Sequence, residues 1–257
     1  MQRVRLDSLL AERGLFESRT RAAAAVLAGN VHLGAGRRRA EKPGQLVDPE
    51  IELAVDAPPP FVSRGGVKLA NALDTLGVGV TGRHALDVGA STGGFTDCLL
   101  QRGAAHVVAL DVAYGELDYR LREDPRVTVI ERVNARALEP EQLPYRPDLI
   151  TLDVSFISLT KVLPAVLAAA DATFDCLAMV KPQFEVGRER IGKGGVVRDP
   201  ELRREAVESV ARAARALDAT VMGAAPSSLE GPSGNRETFL WLAEGSREGA
   251  AEALTTW

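Results

Sequence analysis

The feature that most limits how this chain can fold is a rhythm that begins near residue 61, where short Val- and Leu-rich runs alternate with segments of helical spacing. Seven runs stand out as strands: HALDVG, AHVVALDV, RVTVIE, DLITLDV, CLAMVKP, ATVMGAA and ETFLWL. Helices fall between most of them. In DPELRREAVESVARAARAL, Asp199 is placed to cap and Pro200 occupies the favoured first helical position. Strand, helix, strand repetition predicts an α/β fold with a doubly wound, Rossmann-like parallel sheet, and the last two runs, with little helix between them, predict an antiparallel finish.

The first 60 residues follow another pattern. Leu6, Leu9 and Leu10 repeat at helical spacing up to Gly14, and Ser18 is placed to cap a second helix, RTRAAAAVLAG, that ends at Gly29. The strands NVHL and EIELAV flank GAGRRRAEKPGQ, a loop or hairpin, and DAPPP at residues 56 to 60 is a stiff spacer that marks a boundary. Charge divides in the same way. The chain as a whole carries -4, yet residues 1 to 42 hold nine Lys or Arg against four Asp or Glu. A small basic module on an acidic body points to nucleic acid, with a solvated surface as the bland alternative.

Other classes are disfavoured. Charged residues interrupt every apolar run well short of the roughly 18 residues that cross a bilayer, and MQRVRLDSLLAERG lacks the apolar core of a secretory signal, so a cytoplasmic protein with no membrane partner is expected. Cys98 and Cys176 each sit beside leucines as buried thiols, and His32, His84 and His106 lack ligand-like spacing, so no metal is expected.

LDVGASTGGFTDCLL places a strand ending at Asp87, then Gly89, Gly93 and Gly94, then a helix. Such a turn lies at the carboxyl end of the first strand, where ligands bind in open α/β sheets. Asp111, about twenty residues on, is positioned to accept both ribose hydroxyls of an adenosine. Ser91 occupies the position where a dinucleotide fingerprint needs glycine, and no phosphate loop is present. An acid at each of two strand ends and a looser glycine turn suit S-adenosylmethionine, a cation with no phosphate, with Asp87 near its amino acid end. A plain βα connection or another adenosine ligand is the competing reading.

Further charges stand at strand ends: Asp153 in LITLDVSFIS, Lys181 in CLAMVKPQFE and Glu237 in GNRETFLWL. Lys68, in VSRGGVKLANAL, borders the apolar run Leu69, Ala72, Leu73 and Leu76. Its long stem can cross that surface to bring an ammonium to a cleft, or simply snorkel to solvent.

Taken together, RLDSLLAERGL, SRTRA, AGNV, SRGGVKL, LDVGASTGGFTDCLL, LDVSFISL, VKPQFE and GPSGNRETFLWL resemble the TlyA family of ribosomal RNA 2'-O-methyltransferases over nearly the full length. The resemblance implies an S4-like RNA-binding domain at 1-57, a proline-rich linker at 58-62, an FtsJ-like methyltransferase domain at 63-245 and a tail at 246-257. It implies a Lys68, Asp153, Lys181, Glu237 tetrad and a donor site made by Asp87, Gly89, Ala90, Ser91, Gly93, Gly94, Phe95 and Asp111, with S-adenosyl-L-methionine as the methyl donor. It also implies methylation of a ribose, read as that of a cytidine, in ribosomal RNA or a ribosomal subunit, by a monomer. DAPPP is richer in proline than that family's linker.

Chemistry supports the tetrad independently. A ribose 2'-hydroxyl is a weak nucleophile, so methyl transfer needs in-line placement and loss of a proton. Lowering a lysine from about 10.4 to between about 7 and 8 takes roughly 4 kcal/mol, which a second ammonium and partial burial can supply. Two cations and two anions sum to zero, which suits a partly dry cleft. In this assignment Lys181 accepts the proton, Asp153 orients it, Lys68 steers the 2'-oxygen and Glu237 anchors Lys68. RNA contacts are expected from Arg3, Arg5, Arg19, Arg21 and Lys42, from Arg64 beside the cleft, and from Phe156, which either stacks on the target base or fills the core. GRERIGKGGVVR, within the loop 184 to 198, is either a lid or a plain surface loop. A non-enzymatic RNA-binding protein that senses a nucleotide, and a haemolysin, are the rival functions.

Overall fold

The computed structural model describes residues 3-57 and 59-249. Pro58 in the linker, residues 250-257 of the tail and the first two residues lie outside the described residues. The chain separates into two compact units, residues 1 to 59 and 60 to 257.

The first unit contains β1 (Val4–Arg5), α1 (Leu6–Glu12), α2 (Arg19–Ala28), β2 (Val31–Leu33), β3 (Arg38–Arg39), β4 (Leu46–Val47) and β5 (Leu53–Val55). Ser18 Oγ accepts the Arg21 N–H at the start of α2, and Gly29 ends it in the left-handed conformation. The connection GAGRRRAEKPGQ contains the hairpin strand β3, which pairs antiparallel with β2, while β4 lies against β1. Leu6, Leu10, Ala22, Val26 and Val31 form a small core. Asp7 is buried beside Arg5 (2.7 Å) and Arg19 (3.2 Å), and the Arg5 hydrogen bond holds its carboxyl down at about 2.

The second unit continues through α3 (Arg64–Leu76), β6 (His84–Val88), α4 (Gly94–Gln101), β7 (His106–Asp111), α5 (Tyr119–Arg122), β8 (Val127–Glu131), β9 (Leu149–Leu152), α6 (Leu163–Ala168), β10 (Asp175–Val180), α7 (Pro182–Glu185), α8 (Pro200–Arg215), β11 (Ala219–Pro226) and β12 (Thr238–Glu244). All seven expected strands form one sheet in the order β11-β12-β10-β9-β6-β7-β8. β6 to β10 are parallel, and β12 slots antiparallel between β10 and β11. Every residue of β9 and β10 is buried, which is why these strands read as unbroken apolar runs. The two faces carry separate cores, one including Leu163, Val166, Val207 and Val210, the other Leu69, Leu73, Leu99 and Phe239. Leu69, Ala72 and Leu73 lie on the buried stripe of α3, and Asp199 caps α8 by accepting the Glu201 N–H.

From β6 the chain first builds outward through β7 and β8, then returns to lay β9 against the other side of β6. That reversal leaves a crevice beyond the carboxyl ends of β6 and β9, the usual ligand position in such sheets.

Candidate active site

The crevice opens onto a cavity of about 520 Å³ that Lys68, Asp153, Lys181 and Glu237 all line. They come from the first turns of α3, the end of β9, the end of β10 and the residue before β12, and the crossover topology gathers them. Lys68 Nζ donates to Glu237 Oε2 at 2.5 Å, both side chains being almost wholly buried. Lys181 Nζ lies 2.6 Å from Asp153 Oδ1 and donates to Ser155 Oγ at 2.8 Å. The aligned hydrogen bond is the one to Ser155, so the contact with Asp153 is chiefly an ion pair. Lys68 does not snorkel outward: it is buried, with Leu69, Ala72 and Leu73 of the same helix.

The glycine turn after β6 forms the floor. Gly89 has φ +83°, and a Cβ there would lie 2.5 Å from the Asp153 carbonyl oxygen, so the two strand ends meet only because the side chain is missing. Ala90, Ser91, Gly94 and Phe95 also line the cavity, as does Arg64, whose guanidinium donates to the Glu230 carbonyl at 2.9 Å. A neighbouring cavity of about 360 Å³ shares Gly89, Ser91, Asp153 and Ser155, and is walled by Asp111, Val112, Ala135 and Ile157. Asp111 is fixed by two backbone amides, accepting the N–H of Ser91 in the glycine turn at 2.7 Å and that of Ala113 just beyond its own strand at 2.8 Å.

Two expected donor-site residues stand elsewhere. Asp87 is fully buried and lines neither cavity; it accepts the hydroxyls of Thr96 (2.7 Å) and Thr151 (3.1 Å), and burial pushes its carboxyl up to about 7. It braces the turn from beneath, its carboxylate taken up by the hydroxyls of Thr96 and Thr151. Gly93 likewise faces Leu117 and Leu121, leaving no space for a side chain, so its place is in packing. Phe156, by contrast, is 92% exposed at φ +64°, 5.3 Å from the Phe184 ring, which removes the core reading. Of the residues expected to touch RNA in the first unit, Arg3 and Lys42 are exposed, Arg5 and Arg19 are partly engaged by Asp7, and Arg21 pairs with Glu17 at 3.4 Å. Ser155, Asn134, Ile157 and Pro232 also line the two cavities, and no spacing in the sequence singled them out. Ser155 had the only visible signal, its place two residues after Asp153 at a strand end. The end of the loop at 187 to 198 is tied down by Asn235, which accepts the Val197 N–H and donates to the Gly195 carbonyl. Cys98 and Cys176 are buried free thiols, with burial pushing Cys98 up to about 12. Among the described residues no group of three or more His, Cys, Asp or Glu is arranged to hold a metal, and no helix is long and apolar enough to cross a membrane.

A seven-stranded sheet with this order, a glycine turn after its first parallel strand and an acid ending the second defines the Rossmann-like methyltransferase class. Residues 61–244 match the model of the FtsJ-like methyltransferases. Over 94% of this chain and 90% of the relative, 51% of residues are identical to the 16S/23S rRNA (cytidine-2'-O)-methyltransferase TlyA of Mycobacterium tuberculosis. Hemolysin A of Brachyspira hyodysenteriae is 41% identical over 78% of this chain and 83% of its own length. A solved structure of a Streptococcus thermophilus protein that carries a haemolysin name superimposes with a TM-score of 0.74 at 37% identity, covering 99% of this chain and 95% of that one. The chain belongs to the TlyA family of FtsJ-like methyltransferases.

The residues present fit the donor of that family, S-adenosylmethionine. The bare Gly89 backbone allows close approach, the apolar walls Val112, Ala135 and Ile157 suit an adenine, and the immobilised Asp111 carboxylate suits ribose hydroxyls.

Proposed function

We propose that this chain catalyses S-adenosylmethionine-dependent 2'-O-methylation of a ribose, that of a cytidine, in ribosomal RNA. The observation that carries this reading is the convergence of Lys68, Asp153, Lys181 and Glu237 on one cavity beside the glycine turn. The M. tuberculosis relative, named for cytidine 2'-O-methylation of 16S and 23S rRNA, supports the choice of substrate.

S-adenosylmethionine, when bound, supplies an electrophilic methyl group on a cationic sulfur. The chain's own groups handle the hydroxyl. Neutral Lys181 accepts the 2'-hydroxyl proton as the oxygen bonds to carbon, and the resulting ammonium rests on Asp153 and Ser155 in the contacts observed. Lys68, locked by Glu237, presents a fixed cation to the 2'-oxygen, whose negative charge grows as the proton leaves. Phe156 stacks on the displaced target base, and Arg64 contacts the strand near it. Residues 1-57 act as an S4-like module that docks folded RNA through Arg3, Arg5, Arg19, Arg21 and Lys42, with 63-245 as the catalytic domain. In this reading the protein works as a cytoplasmic monomer on ribosomal RNA or a ribosomal subunit.

The test is tritiated methyl transfer to ribosomal RNA, with mass spectrometry of the nucleosides. Wild-type chain is expected to yield 2'-O-methylcytidine, while Lys181→Ala loses at least about 100-fold in rate and keeps its affinity for the donor in calorimetry. Donor binding with no transfer by the wild type would favour a non-enzymatic RNA-binding protein instead.

A further inference from the structure

Glu237 lines two cavities. Behind the one just described lies another, of about 440 Å³, bordered by Arg203, Arg204 and Arg236 together with the hydroxyl residues Ser227, Ser228 and Thr238. Arg203 and Arg204 project from the first turns of α8, whose first residue, Pro200, also borders the space. The N-terminal end of a helix adds partial positive charge there.

These guanidiniums are poorly committed within the protein. Among the described residues Arg203 has no ion pair, Arg204 reaches Glu201 only at 3.4 Å, and Arg236 reaches Glu230 only at 3.6 Å. Both pairs are largely exposed, and such pairs are weak and readily exchanged. Elsewhere in the same unit arginines are bound tightly, Arg102 to Asp74 at 2.7 Å and Arg126 to Asp124 at 2.7 Å. Two acids also border this space: Glu237 is consumed by Lys68, and the half-exposed Glu230 meets Arg236 alone, so the three arginines still outnumber the uncommitted carboxylate. Three planar cations with unspent donors, interleaved with hydroxyls in a concave space, match a phosphodiester, which guanidinium groups grip in bidentate fashion.

We propose that this cavity is an RNA phosphate subsite, holding a phosphodiester adjacent to the target nucleotide on the far side of Glu237 from the reacting ribose. The proposal rests on the methyltransferase reading above and deepens it. Gripping the backbone one step from the reacting sugar fixes the 2'-oxygen without reading a base, so the same arginines serve any sequence that the rest of the chain delivers.

The experiment is steady-state methylation of ribosomal RNA by the full chain across a salt series, comparing wild type with Arg203→Ala, Arg236→Ala, the double variant and Arg203→Lys. Each alanine is expected to raise KM for RNA about 5- to 20-fold, with the loss falling on KM rather than kcat. The salt slope of log KM should shrink by about 0.7 for each phosphate contact removed. Arg203→Lys should keep most of the salt slope. Unchanged KM and slope in the double variant would overturn the subsite, while wild-type transfer abolished by Lys181→Ala would show the methyltransferase reading intact; absence of transfer by the wild type would instead sink that reading. If Arg203→Lys is as impaired as Arg203→Ala and both melt at lower temperature, the residue is structural and the subsite falls. Inorganic phosphate, titrated alone, should show no saturable binding. Saturable binding that the double variant loses, with KM for RNA unmoved, would reassign the cavity to a free anion.

Discussion

Lys68 and Lys181 line one cavity and each meets a carboxylate, yet they are held differently. Lys68 and Glu237 expose 9% and 2% of their side chains, and neither has a second side-chain partner among the described residues. Lys181 is similarly covered, but its partner Asp153 is 26% exposed, and Ser155 shares the ammonium. A sealed pair keeps both charges because separating them in a dry site is costly. A pair with one side open to the cleft keeps part of its hydration and can be reached by what enters. The first lysine is enclosed with its partner, while the second stands where its partner meets the cleft.

The largest expected effect breaks the open pair. Lys181→Ala should cut methyl transfer by at least about 100-fold and leave unfolding by denaturant nearly unchanged, because Asp153 can turn to water. The sealed pair should behave in the opposite sense: Glu237→Ala, which strands a buried ammonium, should cost about 3 to 5 kcal/mol in denaturant unfolding. Adding Lys68→Met should recover much of that stability without recovering activity. Equal destabilisation by Lys181→Ala and Glu237→Ala would erase the distinction.

A smaller effect sits beneath the turn. The buried Asp87 has its carboxyl raised to about 7 from an ordinary 3.8. Between about pH 4 and 7 the unfolded chain has released this proton while the folded chain retains it, so stability falls as pH rises through that window. Asp87→Asn should flatten the dependence, gaining about 3 kcal/mol over wild type between pH 5 and 8, as read by denaturant midpoints. Donor affinity should persist, since Asp87 lines neither cavity; a large loss would restore it as a ligand. The smallest structural effect belongs to Phe156, whose replacement by Ala should alter stability by less than about 0.5 kcal/mol. It should nevertheless weaken RNA methylation by about 1 to 3 kcal/mol if the ring stacks on a base.

Much of the catalytic unit was legible because its strands are buried on both faces and so read as distinct apolar runs. Lys68, Asp153, Lys181 and Glu237 were visible as charges breaking those runs. Their pairing, Glu237 with Lys68 and Asp153 with Lys181, followed from charge balance and the family resemblance and not from any spacing, since Lys68 and Glu237 lie 169 residues apart and meet only when β12 enters between β10 and β11. Strands such as Val4–Arg5 and Arg38–Arg39 are two residues long, the first half polar and the second wholly so, too short to leave a period. Asp87 looked like a ligand because a strand-end acid beside glycines usually faces outward. Thr96 and Thr151, from two other segments, turn it inward. The arginine cavity was hidden for the same reason: Arg203 and Arg236 share no element, and only the fold makes them neighbours.

The place of β12 also ties the integrity of the sheet to the electrostatics of the site. Without residues 237 to 244, β10 has no strand on its outer side, β11 has no neighbour in the sheet, and the buried Lys68 of α3 has no counterion. One short segment near the end of the second unit thus supplies both a central strand and the partner of a charge carried by that unit's first helix.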